Sequence, residues 1–303
     1  MKNKIIIGSR GSKLALIYAN KAKEELIKNS QIQNIEIKSI KTAGDTIKNV
    51  RLSDSGGKGM FCKTIERELL DEKIDIAVHA LKDMPTSETE GLVTNCFLER
   101  NNPREILISN GNKCIKDLKV GAVVGTSSFR REFQLKNLRK DLNCKLIRGN
   151  VDTRMKKLND NLYDAIILSY AGIKLLGLKN KVSQIFPVSE IIPSAGQGTI
   201  ALQCRKDDKK SISLLEKINH QPTNICVTAE RDVLKILEGD CETAVGIFAK
   251  IRDENICLEA ELYSLNGKQR FYSKLSKSLN LAGEIGIEVG KILKKKSNSS
   301  YKR

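Results

Sequence analysis

The sequence predicts an α/β protein with about two to three domains, since 303 residues are enough for that number. Short apolar runs alternate with helical patterns through most of the chain, and this alternation is typical of parallel sheets covered by helices. A different pattern follows Pro222 and indicates a smaller domain of another type. Ligands of open α/β sheets bind beyond the carboxyl ends of the strands. We therefore expect functional residues in the turns after the strands.

The first part of the chain alternates predicted strands and helices. Lys4–Ile7 is an apolar run, and Ser12 can cap a helix whose apolar side chains recur on one face. Ile35–Ile40 alternates apolar and polar residues, as a half-buried strand does. Phe61–Leu70 is predicted as a helix and Ile74–Val78 as a buried strand.

Two candidate boundaries divide the rest of the chain. Asn101-Asn102-Pro103 precedes predicted strands at Ile106–Ile108, Val120–Val124, Lys145–Ile147 and Ala165–Leu168, and a helix at Arg130–Leu138. His220-Gln221-Pro222 precedes a helix at Thr223–Leu237, strands at Val245–Ile251, Ile256–Leu262 and Arg270–Tyr272, and a helix at Leu281–Leu293. This end predicts a small α+β domain. The polar residues after Lys294 are expected to be disordered.

Basic residues outnumber acidic ones by 53 to 36, which gives a net charge of +17. Such a balance indicates an anionic partner, either a nucleic acid or a small polycarboxylate. Aromatic residues make up only 4% of the chain and tryptophan is absent. This composition disfavours nucleic acid, because base stacking needs aromatic platforms. We therefore predict a small acidic ligand and no nucleic-acid partner.

No apolar run approaches about 18 residues, so the sequence predicts no transmembrane helix and no membrane partner. The apolar stretch before Gly8 is too short for a signal peptide, and a cytoplasmic monomer is expected. The eight cysteines contain no Cys-x-x-Cys pair, so no metal site is predicted. Free thiols are expected in a reducing compartment.

Polar and cationic side chains follow several predicted strands. Four segments share this placement: Gly8–Ser12 with Arg10, Lys82-Asp83 before Pro85, Gly125–Arg131, and Arg148–Arg154. Helix N-termini attract anions, and arginine adds a planar fork that matches a carboxylate. Each segment alone is also compatible with an ordinary turn or a surface ion pair. Charged residues that merely face solvent would not recur at the ends of several strands. The four segments together therefore indicate a carboxylate-binding cleft.

Three further loops are candidate functional segments. Gly56–Gly59 could approach a ligand closely or form an ordinary surface loop. Pro193–Gly198 is predicted to be a flexible connection between lobes. Cys241 follows a long helix that Gly239 is expected to terminate, which places the cysteine on a loop. Neighbouring acids disfavour a thiolate there, which argues against a simple nucleophile but does not exclude a permanent covalent anchor.

These motifs, in their order along the chain, resemble the porphobilinogen deaminase family from about residue 4 to residue 290. The matching segments are Ser9–Ser12, Gly56–Phe61, Asp75–His79 with Lys82-Asp83, Gly125–Arg131, Arg148–Val151 with Thr153-Arg154, Tyr163–Leu168 with Ala171-Gly172, Gly196–Gly198, Thr228–Arg231, and Glu238-Gly239 with Cys241.

The resemblance implies two lobes of the type-II periplasmic-binding-protein kind around a cleft, followed by a small α+β domain. The implied boundaries are 1–99 with 199–217 returning for lobe 1, 104–193 for lobe 2, and 218–303 for the C-terminal domain. The C-terminal domain would carry Cys241.

The resemblance also implies a dipyrromethane cofactor joined to Cys241 through a thioether. Four porphobilinogen molecules would condense with loss of ammonia and give hydroxymethylbilane. Asp83 would be the catalytic residue and would stabilise a cationic pyrrole. The implied cofactor contacts are Cys241, Lys82, Asp83, Thr126, Ser127, Arg130, Arg131, Arg148 and Gly149. The implied substrate contacts are Arg10, Ser12, Lys58, Arg148, Arg154 and Gln197.

Four residues depart from those common in the family: Asp54 replaces Lys, Ala80 replaces Ser, Leu175 replaces Arg, and Asp240 replaces Gly. Two interpretations from other classes stay open on the sequence. A non-enzymatic binding protein with the same two lobes would leave Cys241 and the third domain without a use. A nucleic-acid-binding protein is supported by net charge alone.

Overall fold

The computed structural model describes residues 4–42, 59, 61–239 and 243–302. The strands within these ranges are β1 (Lys4–Arg10), β2 (Asn34–Ile40), β3 (Ile76–Ala80), β4 (Leu92–Phe97), β5 (Glu105–Ser109), β6 (Val123–Gly125), β7 (Asn143–Lys145), β8 (Ala165–Ser169), β9 (Gln184–Ile185), β10 (Ile200–Arg205), β11 (Val245–Arg252), β12 (Asn255–Tyr263) and β13 (Arg270–Ser278). The α-helices there are α1 (Lys13–Asn29), α2 (Lys63–Leu70), α3 (Phe129–Leu138), α4 (Val151–Asn159), α5 (Tyr170–Leu175), α6 (Lys209–Glu216), α7 (Gln221–Leu237) and α8 (Ala282–Ser297).

Two five-stranded sheets share one arrangement. The first has the order β2-β1-β3-β10-β4 and the second the order β7-β6-β8-β5-β9. In each sheet the first three strands of this order are parallel to one another. The fourth strand, β10 in the first sheet and β5 in the second, is antiparallel to them, and the chain enters it after crossing from the other lobe. This repeated topology confirms the prediction of two type-II periplasmic-binding-protein lobes, although the sequence shows no internal repeat.

The third sheet is antiparallel, in the order β11-β12-β13, and helices α7 and α8 cover it. Its apolar core is formed by residues of both layers, such as Val233, Leu258 and Val289. This confirms the predicted small α+β domain at the C-terminal end. The strands thus fall into three groups that fit the expected domain division, while the exact boundaries stay a prediction.

Several predicted element positions were wrong. Val120 is 86% exposed and precedes a turn at Gly121, so the strand begins only at Val123. The strand predicted at Lys145–Ile147 lies two residues earlier, at Asn143–Lys145. Both strands are three residues long, and such short strands carry little alternation that a sequence pattern could reveal.

The expected disordered tail was also wrong, because helix α8 continues to Ser297 and Tyr301 is buried against the third domain. The Tyr301 hydroxyl donates to the carbonyl oxygen of Leu237 at 3.0 Å. Burial of one aromatic side chain was enough to order a segment whose overall composition is polar.

The segment Pro193–Gly198 is not a loosely held connection, because a buried carboxylate on helix α7 fixes it. Glu230 accepts hydrogen bonds from Arg100 at 2.6 Å, from the Gly196 amide at 2.7 Å and from the Ala249 amide at 2.8 Å. These donors belong to lobe 1, to the connection and to the third domain. Glu230 therefore holds the three parts of the chain together.

Candidate functional site

The carboxyl ends of strands from both lobes face each other across one cleft. Strands β1 and β3 supply the turns of lobe 1, and strands β6 and β7 supply the turns of lobe 2. The polar segments noted in the sequence lie at these ends, where open α/β sheets bind ligands.

The lobe 1 wall of the cleft contains a pocket lined by Arg10, Ser12, Tyr18, His79 and Asp83, among others. The Arg10 guanidinium lies 3.9 Å from the centre of the Phe61 ring, which is a cation–π contact. Ser12 caps helix α1 as predicted, and its hydroxyl accepts from the Ala15 amide. Burial lowers the pKa of His79 to about 4, so this imidazole is neutral near pH 7.

Lys82 and Asp83 lie in a short 3-10 turn directly after strand β3, and Pro85 follows them. Lys82 Nζ donates to Gln197 Oε1 at 3.3 Å. Burial lowers the pKa of Lys82 to about 8, and repulsion from Arg131 adds to this effect. The Asp83 carboxylate has no hydrogen-bond partner in the described part of the chain, and it therefore remains available to a ligand.

Arg130 and Arg131 begin helix α3 and share one buried acid, Glu105 on strand β5. Arg130 Nη2 contacts Glu105 Oε1 at 2.6 Å, and Arg131 Nη2 contacts Glu105 Oε2 at 2.8 Å. Burial alone would raise the pKa of Glu105, but the two arginines outweigh it and hold that pKa at about 2. We call these three residues the braced arginine cluster.

Arg148 and Arg154 form a contrasting pair on the same lobe. Neither has an acidic partner within the ranges that the structure describes, and Arg148 Nε is buried there without an acceptor. Arg154 Nε donates to the carbonyl of Gly149, whose φ of +114° favours glycine. Burial and then repulsion from Arg131 lower the pKa of Arg154 to about 10. We call Arg148 and Arg154 the open arginine pair.

Hydroxyl groups precede helix α3 in the turn after strand β6. Thr126 is almost fully buried, and its hydroxyl accepts from the Ser128 amide at 3.1 Å. Ser128 caps the helix by accepting from the Arg131 amide. Ser127, at the tip of the turn, is only half-buried. The free N–H groups of this helix start therefore point to the cleft side of the sheet.

The charges of the two lobes act on each other across the cleft. Arg131 of lobe 2 lowers the pKa of Lys82 in lobe 1, whereas Asp83 in lobe 1 favours the charged form of Arg154 in lobe 2. Lys13 Nζ also contacts Asp152 of lobe 2 at 3.1 Å. The cleft thus concentrates cationic side chains around the carboxylate of Asp83, and this arrangement suits a ligand with several carboxylates.

The structure brings most of the residues predicted from the sequence together at the cleft. Two of them, Gln197 and Arg130, are buried and hydrogen-bonded to other protein groups. Gln197 is fully buried, and its Nε2 donates to the Pro103 carbonyl at 2.7 Å while its Oε1 faces Lys82. Arg130 is 5% exposed and is satisfied by Glu105 and the Ile192 carbonyl. The predicted contact of Gln197 with the substrate and that of Arg130 with the cofactor stay predictions.

Two predicted site residues, Lys58 and Cys241, lie outside the described residues, as do Asp54 and Asp240. The structure does describe the residues on either side of Cys241, up to Gly239 and from Thr243 onward. Helix α7 ends at Leu237, and Glu238 rather than Gly239 takes the left-handed conformation that terminates it.

Leu175, at the position where the family commonly has Arg, contacts the apolar core of lobe 1.

Sequence reasoning missed Glu105 and Tyr18, and it noted Glu230 only as part of a segment that matches the family, without a role. Glu105 follows Pro103-Arg104 at the start of a predicted strand, and a charged residue there suggested only a strand end. Tyr18 looked like one more apolar position of helix α1, yet it lines the pocket and both burial and Asp83 raise its pKa. Nothing in the local sequence could reveal the partners of Glu230, because they come from three distant segments.

A two-lobed fold whose cleft concentrates cationic side chains, followed by a third domain, indicates a protein that binds an acidic small molecule. Residues 5–213 match the family model described as "Porphobilinogen deaminase, dipyromethane cofactor binding domain", and residues 224–295 match that of the C-terminal domain. The chain belongs to the porphobilinogen deaminase family. Membership makes it a transferase of porphyrin biosynthesis with a dipyrromethane cofactor.

Curated relatives agree with this assignment over nearly the whole chain. The porphobilinogen deaminases of Desulforamulus reducens and Chlorobaculum tepidum are each 40% identical, over 97% of this chain and 95% of the relative. That of Syntrophomonas wolfei is 41% identical over 95% of this chain and 94% of the relative.

Among solved structures, the VFT2 domain of Bordetella pertussis BvgS is 12% identical, with a TM-score of 0.44 over 72% of this chain and 87% of that one. The ytmK binding protein of Bacillus subtilis is 15% identical, with a TM-score of 0.44 over 73% and 94%. No conclusion about function follows from these similarities. In the described part of the chain, no helix is both long and apolar enough to span a bilayer.

Proposed function

We propose that the cleft condenses four porphobilinogen molecules into hydroxymethylbilane on a dipyrromethane joined to Cys241 through a thioether. The observation that carries the proposal is the set of cationic side chains around one available carboxylate, Asp83. Porphobilinogen carries an acetate and a propionate, so a growing pyrrole chain accumulates negative charge. Arg148 Nε, buried without an acceptor among the described residues, fits such a carboxylate.

The cofactor, when bound, supplies the free pyrrole position to which the first substrate is joined. Lys82, Arg131, Arg148, Gly149, Thr126 and Ser127 would hold its carboxylates, and Arg10, Ser12, Lys58 and Arg154 would hold those of the substrate. Gln197 would position Lys82 through the 3.3 Å contact instead of contacting the substrate. Arg130 would brace Arg131 through their common partner Glu105.

Asp83 would act on the substrate pyrrole as ammonia leaves. The departing amine takes the bonding electron pair, and a positive charge spreads over the pyrrole ring and its methylene carbon. A carboxylate that accepts a hydrogen bond from the pyrrole N–H stabilises that charge. The backbone of Asp83 is fixed by the 3-10 turn and by Pro85, so the carboxylate needs little reorganisation.

Covalent attachment would keep the growing chain in the cleft between additions and make each coupling effectively unimolecular. We also propose that the protein acts as a cytoplasmic monomer.

The attachment site is tested by intact mass and peptide mapping of the purified protein. We expect a mass excess of one dipyrromethane, located at Cys241, and loss of both the adduct and ammonia release in Cys241→Ser. Cys257→Ser is the matched control, because Cys257 lies on β12 of the same domain and contacts Ser276. A fully active protein without an adduct, or an adduct on another cysteine, would contradict the proposal.

A further inference from the structure

The segment that follows Asp83 is hydrogen-bonded directly to helix α7 and to the residues after it. Arg231 Nη2 donates to the carbonyl of Pro85 at 2.7 Å and to that of Thr86 at 3.2 Å. The Thr86 hydroxyl donates to the carbonyl of Gly239 at 2.8 Å. Gly239 precedes Cys241 by two positions in the sequence. These contacts therefore connect the catalytic turn of lobe 1 to the segment that leads to the cysteine.

On the side of lobe 1, the backbone between Asp83 and these contacts is short and conformationally restricted. Only Met84, which is buried, separates Asp83 from Pro85, and the proline ring fixes the backbone φ angle there. Burial lowers the pKa of Arg231, so its guanidinium is largely removed from water. Hydrogen bonds from a charged donor in such a setting are stronger than those between neutral groups.

The end of helix α7 is also held from its other side. Tyr301 donates to the Leu237 carbonyl, and the Glu238 carboxylate contacts Lys294 at 2.9 Å and Lys302 at 2.6 Å. Glu238 itself adopts a left-handed conformation with φ of 52°. The helix end is thus fixed relative to helix α8, and Thr86 contacts a point of the third domain that has little freedom to shift.

We propose that Thr86 and Arg231 are positioning residues that set the separation between Asp83 and the segment leading to Cys241. This inference rests on the proposed function, because a tethered pyrrole chain reaches Asp83 correctly only if the start of the tether is fixed relative to it. Misplacement of reacting groups by about 1 Å can lower a rate by about 100-fold. Neither side chain needs to touch the substrate for this role.

The test compares Thr86→Val, which keeps the shape of the side chain and removes its hydroxyl, with Thr86→Ser, which restores the hydroxyl. We expect Thr86→Val to carry the cofactor and to keep the KM for porphobilinogen within about two-fold, while kcat falls about ten-fold. Thr86→Ser should recover most of the kcat. Arg231→Lys keeps the charge but loses the planar fork, so it should also lower kcat.

Thr228→Val is the matched control, because the Thr228 hydroxyl also makes one hydrogen bond, to Asn224, on an exposed face of helix α7. Its kcat should equal that of the wild type. Wild-type kcat in both Thr86→Val and Arg231→Lys, or an equal loss in Thr86→Val and Thr228→Val, would overturn the inference while leaving the proposed function intact. A wild-type protein without adduct or turnover would instead contradict both.

Discussion

The braced arginine cluster and the open arginine pair come from neighbouring turns of lobe 2, but their charges are compensated in different ways. Arg130 and Arg131 share Glu105, which is fully buried. Neither Arg148 nor Arg154 forms an ion pair with an acid in the described ranges, although Asp83 is near enough to favour the charged form of Arg154. The shared acid fixes Arg130 and Arg131 in the architecture of the site, even if Arg131 also reaches the cofactor. Arg148 and Arg154 depend on an anionic ligand for an ion pair. We therefore expect substitutions in the two groups to affect different measurements.

The largest expected effect is on stability and concerns the braced cluster. Glu105→Gln leaves two buried guanidinium groups without a compensating charge, which typically costs about 3–5 kcal/mol. We expect a loss of this size in the free energy of unfolding, measured by urea denaturation. Glu259→Gln on strand β12 should change it by less than about 1 kcal/mol, since its carboxylate contacts Tyr272 at an exposed position. Equal stabilities of the two variants would show that the cluster is not structural.

The second effect is on binding and concerns the open pair. Arg148 Nε donates to no acceptor among the described residues, so Arg148→Leu should leave the free energy of unfolding nearly unchanged. Loss of one charged hydrogen bond to a carboxylate corresponds to an increase in KM of about 10- to 100-fold. Steady-state ammonia release measures this KM, with the exposed Arg252→Leu as control. A destabilised Arg148→Leu with wild-type KM would remove the distinction between the two groups.

The third effect is on the pH dependence and concerns Lys82, which lies close enough to the braced cluster for Arg131 to lower its pKa. Its pKa of about 8 means that the ammonium is charged below this pH and becomes neutral above it. If Lys82 holds a carboxylate, kcat/KM should fall by up to about ten-fold per pH unit above pH 8. Lys82→Arg keeps its charge at these pH values, so this descending limb should disappear. An unchanged limb in Lys82→Arg would assign the titration to another group.

The sequence predicted the fold class and the location of the site, because both depend on local patterns. Buried strands, capped helices and the Lys82-Asp83 pair before Pro85 are all readable within short windows. The short strands β6 and β7 were misplaced, since three residues carry almost no periodic signal. The ordered end of the chain was missed because its contacts are with residues distant in sequence: Tyr301 is buried in the core of the third domain, and Lys302 pairs with Glu238.

The sequence could not separate the two groups of arginines. Arg131 and Arg148 both follow short strands, and the residue that distinguishes them, Glu105, is 26 positions from Arg131 in the chain. The contacts of Gln197 with Pro103 and Lys82 could not be predicted either, since these partners are distant in sequence. Compensation of a buried charge is a property of tertiary structure, and motif spacing contains no record of it.

The measurement that most directly tests the whole account is single-turnover kinetics of Asp83→Asn in folded, cofactor-loaded protein. Asparagine keeps the size of the side chain and removes its charge. Loss of one preorganised electrostatic group commonly lowers a rate by about 100- to 1000-fold. We predict a decrease of that size, with Asp83→Glu retaining more activity because it keeps the charge. Near-normal turnover by Asp83→Asn would contradict the central role given to this carboxylate.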